Sequence, residues 1–309
     1  MAKNLIVILG ATASGKTKLA ARLAFELKGE IISADSRQVY KGMDIGTGKD
    51  LQEYIVDGQN IPYYLIDIIS PQEEFNLFEF QSRFYQIYHH LISRNVLPIV
   101  VGGTGLYLES IIMDYQLPAA PAERELRENL QTRSIEELQK ILLDCRRRLH
   151  NKTDLTDKDR LIRAIEIEKA RSRQAVQTGD RRKIDYVVFG IRRERSELRK
   201  RITERLKQRL EQGMIDEVQA LQKDGLTWSR LESFGLEYRY IAQYLQNKIS
   251  YKEMFEKLNT AIHQFAKRQE TWFRRMERKG IEINWINGDD YNLLKEGVKK
   301  IFYEQALII

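Results

Sequence analysis

Asn4-Leu-Ile-Val-Ile-Leu9, followed at once by Gly10-Ala-Thr-Ala-Ser-Gly15-Lys16-Thr17, is the stretch that decides the fold. A continuous apolar run with β-branched residues reads as a strand buried on both faces, the habit of parallel sheets. After the glycine-bounded loop, Leu19, Ala20, Leu23, Ala24 and Leu27 recur at helical spacing, and Gly29 stands where a helix stop is expected. The loop itself matches G-x-x-x-x-G-K-[ST] between a strand and a helix, the context that gives this pattern its meaning. Its glycines let the backbone curl so that successive N–H groups face one anion, and the helix N-terminus adds positive potential. Gly10, Ala11, Thr12, Ala13, Ser14, Gly15, Lys16 and Thr17 are therefore the candidate diphosphate- or nucleotide-binding residues. Lys16 would reach the terminal phosphates, and the Thr17 hydroxyl would touch a bound Mg²⁺.

Outward from this unit, strands are expected at Glu30 to Ala34, Tyr63 to Ile69 and Leu97 to Val101, the last ending in Gly102-Gly103. Strands alternating with helical patterns imply a parallel sheet with right-handed crossovers. The texture changes near Leu117-Pro118 and Pro121, beyond which the spacing predicts helices at Glu123 to Leu130, Ser134 to Leu149 and Asp157 to Arg173. Ser134-x-x-Glu137 has capping-box spacing. Tyr186 to Gly190 should rejoin the sheet, with helices at about 196–213, 214–224, 236–246 and 251–279 and a last strand near Ile281 to Ile286. The fold class is α/β, with a P-loop NTPase-like parallel sheet core, a helical insertion domain and C-terminal helices. Residues 1–116 and 184–309 form the expected catalytic core, and residues 117–183 the insertion.

Charge is distributed unevenly between these parts. Of 51 basic and 44 acidic side chains, residues 1–116 hold 10 and 13, so the excess of positive charge lies entirely in the remainder. Residues 117–183 alone carry 17 basic and 12 acidic groups. Clustered Lys and Arg suit a polyanionic partner, although a well-solvated helical surface has the same composition. With 42% hydrophobic and 31% charged residues, the chain falls in neither the disordered nor the membrane class. Leu5 to Leu9 is too short for a membrane span or a signal-peptide core, so a cytoplasmic protein without a membrane partner is expected. A single cysteine, Cys145, and four histidines (His89, His90, His150, His263) away from ligand spacings argue against disulfides and a protein-built metal site.

The phosphate loop does not say which phosphate ester it holds. A nucleotide hydrolase on this loop would want an acid at a neighbouring strand end. Here the strand at Leu97 to Val101 ends in Gly102-Gly103-Thr104, and only Asp67 in Leu65-Ile-Asp-Ile-Ile69 offers itself, in a pattern that more often gives a loop or cap carboxylate than a metal ligand. The second strand ends in Ser33-Ala34-Asp35-Ser36-Arg37-Gln38, and ligands of open α/β sheets lie beyond the carboxyl ends of the strands. Asp35 is the candidate general base; the other reading is that Asp35 or Ser36 caps the next helix. Arg37 and Gln38 suit base reading or salt bridges equally.

Gly10 to Thr17, Asp35 to Tyr40 as D-S-R-Q-V-Y, Gly42 to Thr47 as G-M-D-I-G-T, Gly102 to Tyr107 as G-G-T-G-L-Y and Lys267 to Arg274 as K-R-Q-E-T-W-F-R together resemble the bacterial tRNA dimethylallyltransferases over nearly the whole chain. The resemblance implies transfer of the dimethylallyl group from dimethylallyl diphosphate to N6 of the adenosine 3′-adjacent to the anticodon, in tRNAs reading codons that begin with U. It implies that the loop holds the isoprenoid diphosphate with Mg²⁺ as cofactor, that Asp35, Lys16 and Thr17 are catalytic, and that Arg201 or Arg205 neutralises the leaving group. The tRNA anticodon stem-loop would meet Asp35, Ser36, Arg37, Gln38, Thr104, Arg127, Asp159, Arg160, Leu161, Ile162, Arg163, Lys267, Arg268 and Arg274. A monomer is expected. Arg160 and Arg163, three apart on a helix, would form a phosphate clamp, the other reading being a solvated face beside Leu161 and Ile165. In the last long helix Leu258, Ile262, Phe265, Trp272 and Met276 should face the core, leaving Lys267, Thr271, Arg274 and Arg278 outside.

The chain departs from the family pattern in two places. Ala11 stands where relatives often have proline, and Gly235-Leu236-Glu237 where they have Gly-Tyr-Lys or Gly-Tyr-Arg. Glu237 should weaken a tRNA contact or shift it to Arg239. An ATP-dependent small-molecule kinase would explain residues 1–116 but not the basic insertion, and a nucleic-acid-binding module would not need Asp35 at a strand end.

Overall fold

The computed structural model describes residues 4–118, 123–145, 156–173, 184–288 and 290–303. Leu5–Gly10 forms β1, Lys16–Leu27 α1, Glu30–Ala34 β2, Ile55–Val56 β3, Gln59–Asn60 β4 and Tyr63–Tyr64 β5. Then come α2 (Leu77–Ser93), β6 (Pro98–Gly102), α3 (Gly105–Ile112), α4 (Arg124–Gln131), α5 (Ile135–Cys145) and α6 (Lys158–Arg173). The chain continues with β7 (Tyr186–Arg192), α7 (Arg195–Glu211), α8 (Met214–Lys223), α9 (Trp228–Ser233), α10 (Leu236–Leu245), α11 (Tyr251–Arg278), β8 (Asn284–Asn287) and α12 (Tyr291–Tyr303). Six strands make one sheet in the order β5-β2-β6-β1-β7-β8, every pair parallel. This is the expected α/β class with a P-loop NTPase-like parallel core.

The opening apolar run is explained by its place at the middle of that sheet. Successive side chains of a strand point to opposite faces. Ile6 and Ile8 pack with Leu19 and Leu23 of α1 and Leu294 of α12, whereas Leu5, Val7 and Leu9 pack with Phe84 of α2, Leu108 of α3 and Phe273 of α11. With helices on both faces, no position of β1 can be polar, and all six of its residues are buried. A third apolar cluster joins α7, α8, α10 and α11 through Ile202, Leu206, Val218, Ile241 and Leu258.

Two expectations are corrected. The Tyr63 to Ile69 run is a strand only at Tyr63–Tyr64, because Leu65 and Asp67 take left-handed φ angles of 64° and 55° and break the ladder. Gly29 is not the conformational stop of α1: Lys28 takes the left-handed position at φ 51°, and residue 29 is glycine because a Cβ there would lie 2.7 Å from the Leu97 carbonyl oxygen. The second insertion helix is seen as Ile135–Cys145, and its expected continuation to Leu149 lies outside the described residues. The sequence reading contained neither α9 nor α12. No helix among the described residues is long and apolar enough to cross a membrane.

The described residues of Met1–Met113 and Ile184–Ile309 form one unit and those of Asp114–Lys183 a second. The second unit has its own core of Leu130, Leu138, Leu142, Leu161, Ile162 and Ile165, contributed by α4, α5 and α6. Its α5 opens on the capping box read from the sequence: Ser134 N–H donates to Glu137 Oε2 at 2.8 Å, and Glu137 N–H donates back to Ser134 Oγ at 3.2 Å.

Candidate active site

The loop Gly10 to Thr17 is held from outside by two arginines. Arg193 Nε donates to the Ser14 carbonyl at 2.9 Å and Arg201 Nε to the Ala13 carbonyl at 3.0 Å. In a trans peptide the C=O and N–H point opposite ways, so tying these carbonyls outward turns the Gly15 and Ser14 N–H groups away from the arginines. Ala13 and Gly15 have positive φ, 61° and 88°, as the curl requires. Gly10 is obligatory for space, since a Cβ there would lie 2.6 Å from Ser14 Oγ. The Ala11 side chain is buried in the helical cluster rather than facing a ligand.

Lys16 opens α1 with its ammonium unpaired among the described residues. Burial of that ammonium, and next the nearby Arg205 cation, lower its pKa to about 8, against the opposing pull of Asp35, Glu53 and Asp50. Such a lysine gains from any dianion that enters beside it. Thr17 follows in the first turn, where α1 leaves backbone N–H groups unpaired.

The structure separates the two candidate arginines. Arg201 touches the loop, whereas Arg205 is ion-paired to Asp50 and lies 3.5 Å from the Gly48 carbonyl. Arg209, one turn on, approaches the same Asp50 at 3.6 Å. Burial, and then the field of Arg205, lower the Arg209 pKa to about 10. Glu237 belongs to this buried group: desolvation raises its pKa, against the attraction of Arg209 and Arg205. Desolvation wins, so the cations of α7 offset the burial of this acid only in part, a setting that the sequence did not reveal.

Asp35 lies immediately beyond β2. Its Oδ1 accepts from the backbone N–H groups of Arg37 at 2.8 Å and Gln38 at 3.4 Å, so one oxygen closes a turn; no helix begins here for it to cap. Oδ2 has no hydrogen-bond partner among the described residues and is left for chemistry. Ser36 N–H donates to Thr104 Oγ1 at 3.2 Å, and Thr104 N–H to the Ala34 carbonyl at 3.3 Å, fastening this segment to the end of β6. Gln38 is spanned between Ser33 Oγ (3.2 Å) and the Gly48 carbonyl (3.0 Å). Arg37 Nε lies 3.6 Å from the place of a Cβ on Gly235.

Asp67 takes its loop reading. It is ion-paired to Lys49, whose side chain is 1% exposed and also donates to the Tyr40 carbonyl at 2.9 Å. No group of three or more His, Cys, Asp or Glu side chains that could hold a metal occurs among the described residues.

Several expected tRNA contacts are corrected by burial. Leu161 and Ile162 are core residues of the second unit at 0% and 3% exposure and cannot meet a nucleic acid. Arg127 and Arg163 both bind Glu166, whose carboxylate is buried: Arg127 Nε at 2.6 Å and Arg163 Nη1 at 2.8 Å. The proposed Arg160–Arg163 clamp is therefore split, with Arg160 and Asp159 exposed and Arg163 turned to the interior. On α11, Lys267, Thr271, Arg274 and Arg278 are exposed as read, Arg268 is exposed too, and Leu258, Ile262 and Met276 are buried. Phe265 is not in the core: it is 38% exposed, under the Arg268 guanidinium. Trp272 is half-buried, with its ring against Gly105.

Three polar residues that organise the site were not among the candidates, although one of them lies inside the Lys267 to Arg274 motif. Glu217 accepts from the N–H groups of Asp44, Ile45 and Gly46 at 2.8, 2.6 and 3.0 Å and from the Tyr238 hydroxyl at 2.7 Å, fixing the Gly42 to Thr47 loop. Lys49 is the second, and Gln269, bonded to Thr12 N–H at 2.8 Å, is the third.

Comparison with known proteins places these features among relatives. The model of a family described as IPP transferase matches residues 38–276, and one described as isopentenyl transferase matches residues 3–68. The tRNA dimethylallyltransferase 1 of Syntrophus aciditrophicus is 58% identical over 300 residues, covering 97% of this chain and 98% of the relative. That of Geotalea uraniireducens is 54% identical over 290 residues, covering 94% of each. Among solved structures, the full-length tRNA isopentenylpyrophosphate transferase of Bacillus halodurans is 30% identical, with a TM-score of 0.70 and 99% of both chains covered.

Proposed function

The chain belongs to the IPP transferase family, as a tRNA dimethylallyltransferase, and from that premise we propose how its residues move a dimethylallyl group from dimethylallyl diphosphate to N6 of the adenosine 3′-adjacent to the anticodon. The observation that carries the assignment of roles is the pairing of an anion loop bearing an unpaired, half-buried Lys16 with a carboxylate, Asp35, presented at the carboxyl edge of the same sheet.

The diphosphate sits in the loop, against the free N–H groups at the start of α1 and the Lys16 ammonium. Arg201, already on the Ala13 carbonyl, completes the cationic wall. The adenosine must leave its stack to bring its amine to the allylic carbon. As the amine nitrogen forms the new C–N bond, the C–O bond to diphosphate breaks and its electron pair leaves with the diphosphate. Asp35 Oδ2 takes the amine proton, while the N–H groups on Oδ1 hold the carboxylate in place. No water is activated and no phosphoryl group moves, which suits a site where Asp67 is committed to Lys49 and β6 ends in Gly102-Gly103-Thr104.

The residues present fit Mg²⁺ bound mainly through substrate oxygens and water. Thr17 offers a hydroxyl in the first turn beside Lys16, with no carboxylate cluster among the described residues to form an all-protein cage. Such an ion supplies charge neutralisation to the departing diphosphate.

Exposed Arg160 on α6 of the second unit offers a contact to tRNA phosphates, and so, on the first unit, do exposed Lys267, Arg268 and Arg274 of α11; Asp159, as a carboxylate, would meet bases or sugars rather than phosphates. Ser36, Arg37, Gln38 and Thr104 frame the extruded base. The assay is incorporation of radiolabelled dimethylallyl diphosphate, with Mg²⁺ and no ATP, into unmodified tRNA bearing the target adenosine. Transfer that disappears in a tRNA lacking this adenosine is expected. ATP-dependent phosphorylation in place of transfer would overturn the reading.

A further inference from the structure

We propose that Gln269, on the inner side of α11, is a positioning residue that sets the spacing between the diphosphate loop and the base-bearing segment; the inference rests on the reaction assigned above. Gln269 is 7% exposed, and both ends of its amide are used. Oε1 accepts from Thr12 N–H at 2.8 Å, and Nε2 donates to the Gly103 carbonyl at 2.9 Å. One side chain thus ties the loop after β1 to the loop after β6. The next residue, Thr104, ties that second loop to the end of β2, since its N–H donates to the Ala34 carbonyl and its Oγ1 accepts from Ser36 N–H. Asp35 stands between those two anchors. The line from Thr12 through Gln269, Gly103 and Thr104 to Ser36 therefore connects the residues around the leaving group to the residue that takes the proton.

Residue 103 is shaped for this link. A Cβ on Gly103 would lie 2.3 Å from Gln269 Nε2 and 3.2 Å from the Gly10 carbonyl, so only glycine admits the amide at this depth. The link also decides which loop N–H groups meet the diphosphate, because Thr12 N–H is spent on Oε1 and the donors that remain begin at Ala13.

The chemistry of the amide is specific. An ionised glutamate offers acceptors only, so it keeps the bond from Thr12 N–H and sets like charge against the Gly103 carbonyl. A protonated one recovers the donor. Methionine matches the length and volume of glutamine but leaves the Thr12 N–H and Gly103 carbonyl unpaired. A misplacement of about 1 Å between reacting groups lowers rates by roughly 10²-fold.

The experiment compares wild type, Gln269→Met and Gln269→Glu in steady-state transfer, with tRNA affinity measured separately. Gln269→Met is expected to lower kcat by about 10- to 100-fold and to raise KM for dimethylallyl diphosphate, with tRNA affinity changed less than about threefold. Gln269→Glu is expected to regain activity relative to wild type as pH is lowered from about 8 to about 6, as its carboxyl takes up a proton in this buried place. Wild-type kcat and KM in Gln269→Met, or a Gln269→Glu to wild-type ratio independent of pH, would overturn the proposal. If Gln269→Met does not fold, the Gln269→Glu pH series decides. If wild type itself transfers nothing, the assigned reaction fails, and inorganic diphosphate binding to the variants then tests the link alone: several-fold weaker binding supports it, and unchanged binding overturns it.

Discussion

Arg201 donates from Nε to the carbonyl oxygen of Ala13 at 3.0 Å, while Arg205, one turn along the same helix, is ion-paired to Asp50. Two arginines that the sequence could not distinguish therefore have different work. Arg201→Ala should remove leaving-group stabilisation and let the Ala13 peptide turn, lowering kcat by about 10²- to 10³-fold, as loss of one strong electrostatic contact does. Arg205→Ala leaves Asp50 to Arg209 and should act mainly on KM. Single-turnover rates of the two variants at saturating tRNA check the division.

Asp35→Asn keeps an acceptor for the Arg37 and Gln38 N–H groups and so preserves the turn, but it has no carboxylate to take the amine proton. Transfer should fall by about 10²- to 10⁴-fold, with tRNA binding within a few-fold of wild type. An unchanged rate would remove Asp35 from the base role.

Lys16 titrates near pH 8 because burial and Arg205 disfavour its charge. Below that pH the ammonium is present and diphosphate binding is strong; above it the free enzyme loses the cation, so affinity should fall up to about tenfold per pH unit until the complex also titrates. The stability effect has its own sign. The unfolded chain holds this proton up to its ordinary pKa of 10.5, so between about 8 and 10.5 it binds more protons than the folded one, and this residue's contribution to stability rises with pH there. Lys16→Arg stays charged and should flatten the alkaline limb of KM for dimethylallyl diphosphate against pH.

The buried Glu166 divides the arginines of the second unit. Glu166→Ala would leave Arg127 and Arg163 without their shared acceptor inside that unit, at about 3–5 kcal/mol, read as loss of its helical signal at lower temperature. Arg160→Ala, at an exposed site, should spare stability and lower the slope of log affinity for tRNA against log salt by about 1. An unchanged slope would remove Arg160 from the interface.

Asp67→Asn should leave the Mg²⁺ dependence of transfer unaltered and lower the melting temperature, because Lys49 loses a carboxylate while remaining buried. A shifted Mg²⁺ requirement would return Asp67 to the metal.

How much of this was legible depends on the distance over which each signal acts. The strand-loop-helix unit at residues 4–27 is local: periodicity, two glycines and a lysine state it within one window. The three α11 residues Leu258, Ile262 and Met276 were legible for the same reason, but Phe265 was not, since an apolar residue at the edge of a helical stripe can lie under an arginine guanidinium instead of in the core. Leu161 and Ile162 were misassigned because a motif transferred as a block does not distinguish the side chains that face inward. Tyr63 to Ile69 misled because two left-handed residues, neither of them glycine, break the run. Lys49 and Glu217 were invisible as single polar residues whose partners are set by the fold, and Gln269, though inside the Lys267 to Arg274 motif, had no role there for the same reason: Gln269 reaches Thr12 across 257 positions and Glu217 reaches Ile45 across 172. The Glu237 departure was visible, but its burial beside Arg209 was not.

The second unit interrupts the chain between α3 and β7, yet β7 still lies along β1 with Gly190 opposite Leu9, as Gly102 does on the other side. Where the chain returns, Asn4 and Asp185 exchange hydrogen bonds at 2.7 and 3.0 Å, pinning the start of that register before any catalytic residue is reached. Changes in the length or charge of residues 114–183 are thereby absorbed upstream of the sheet. In evolutionary terms, an insert whose return is fixed by these two hydrogen bonds can drift in length and charge without a compensating change in the sheet.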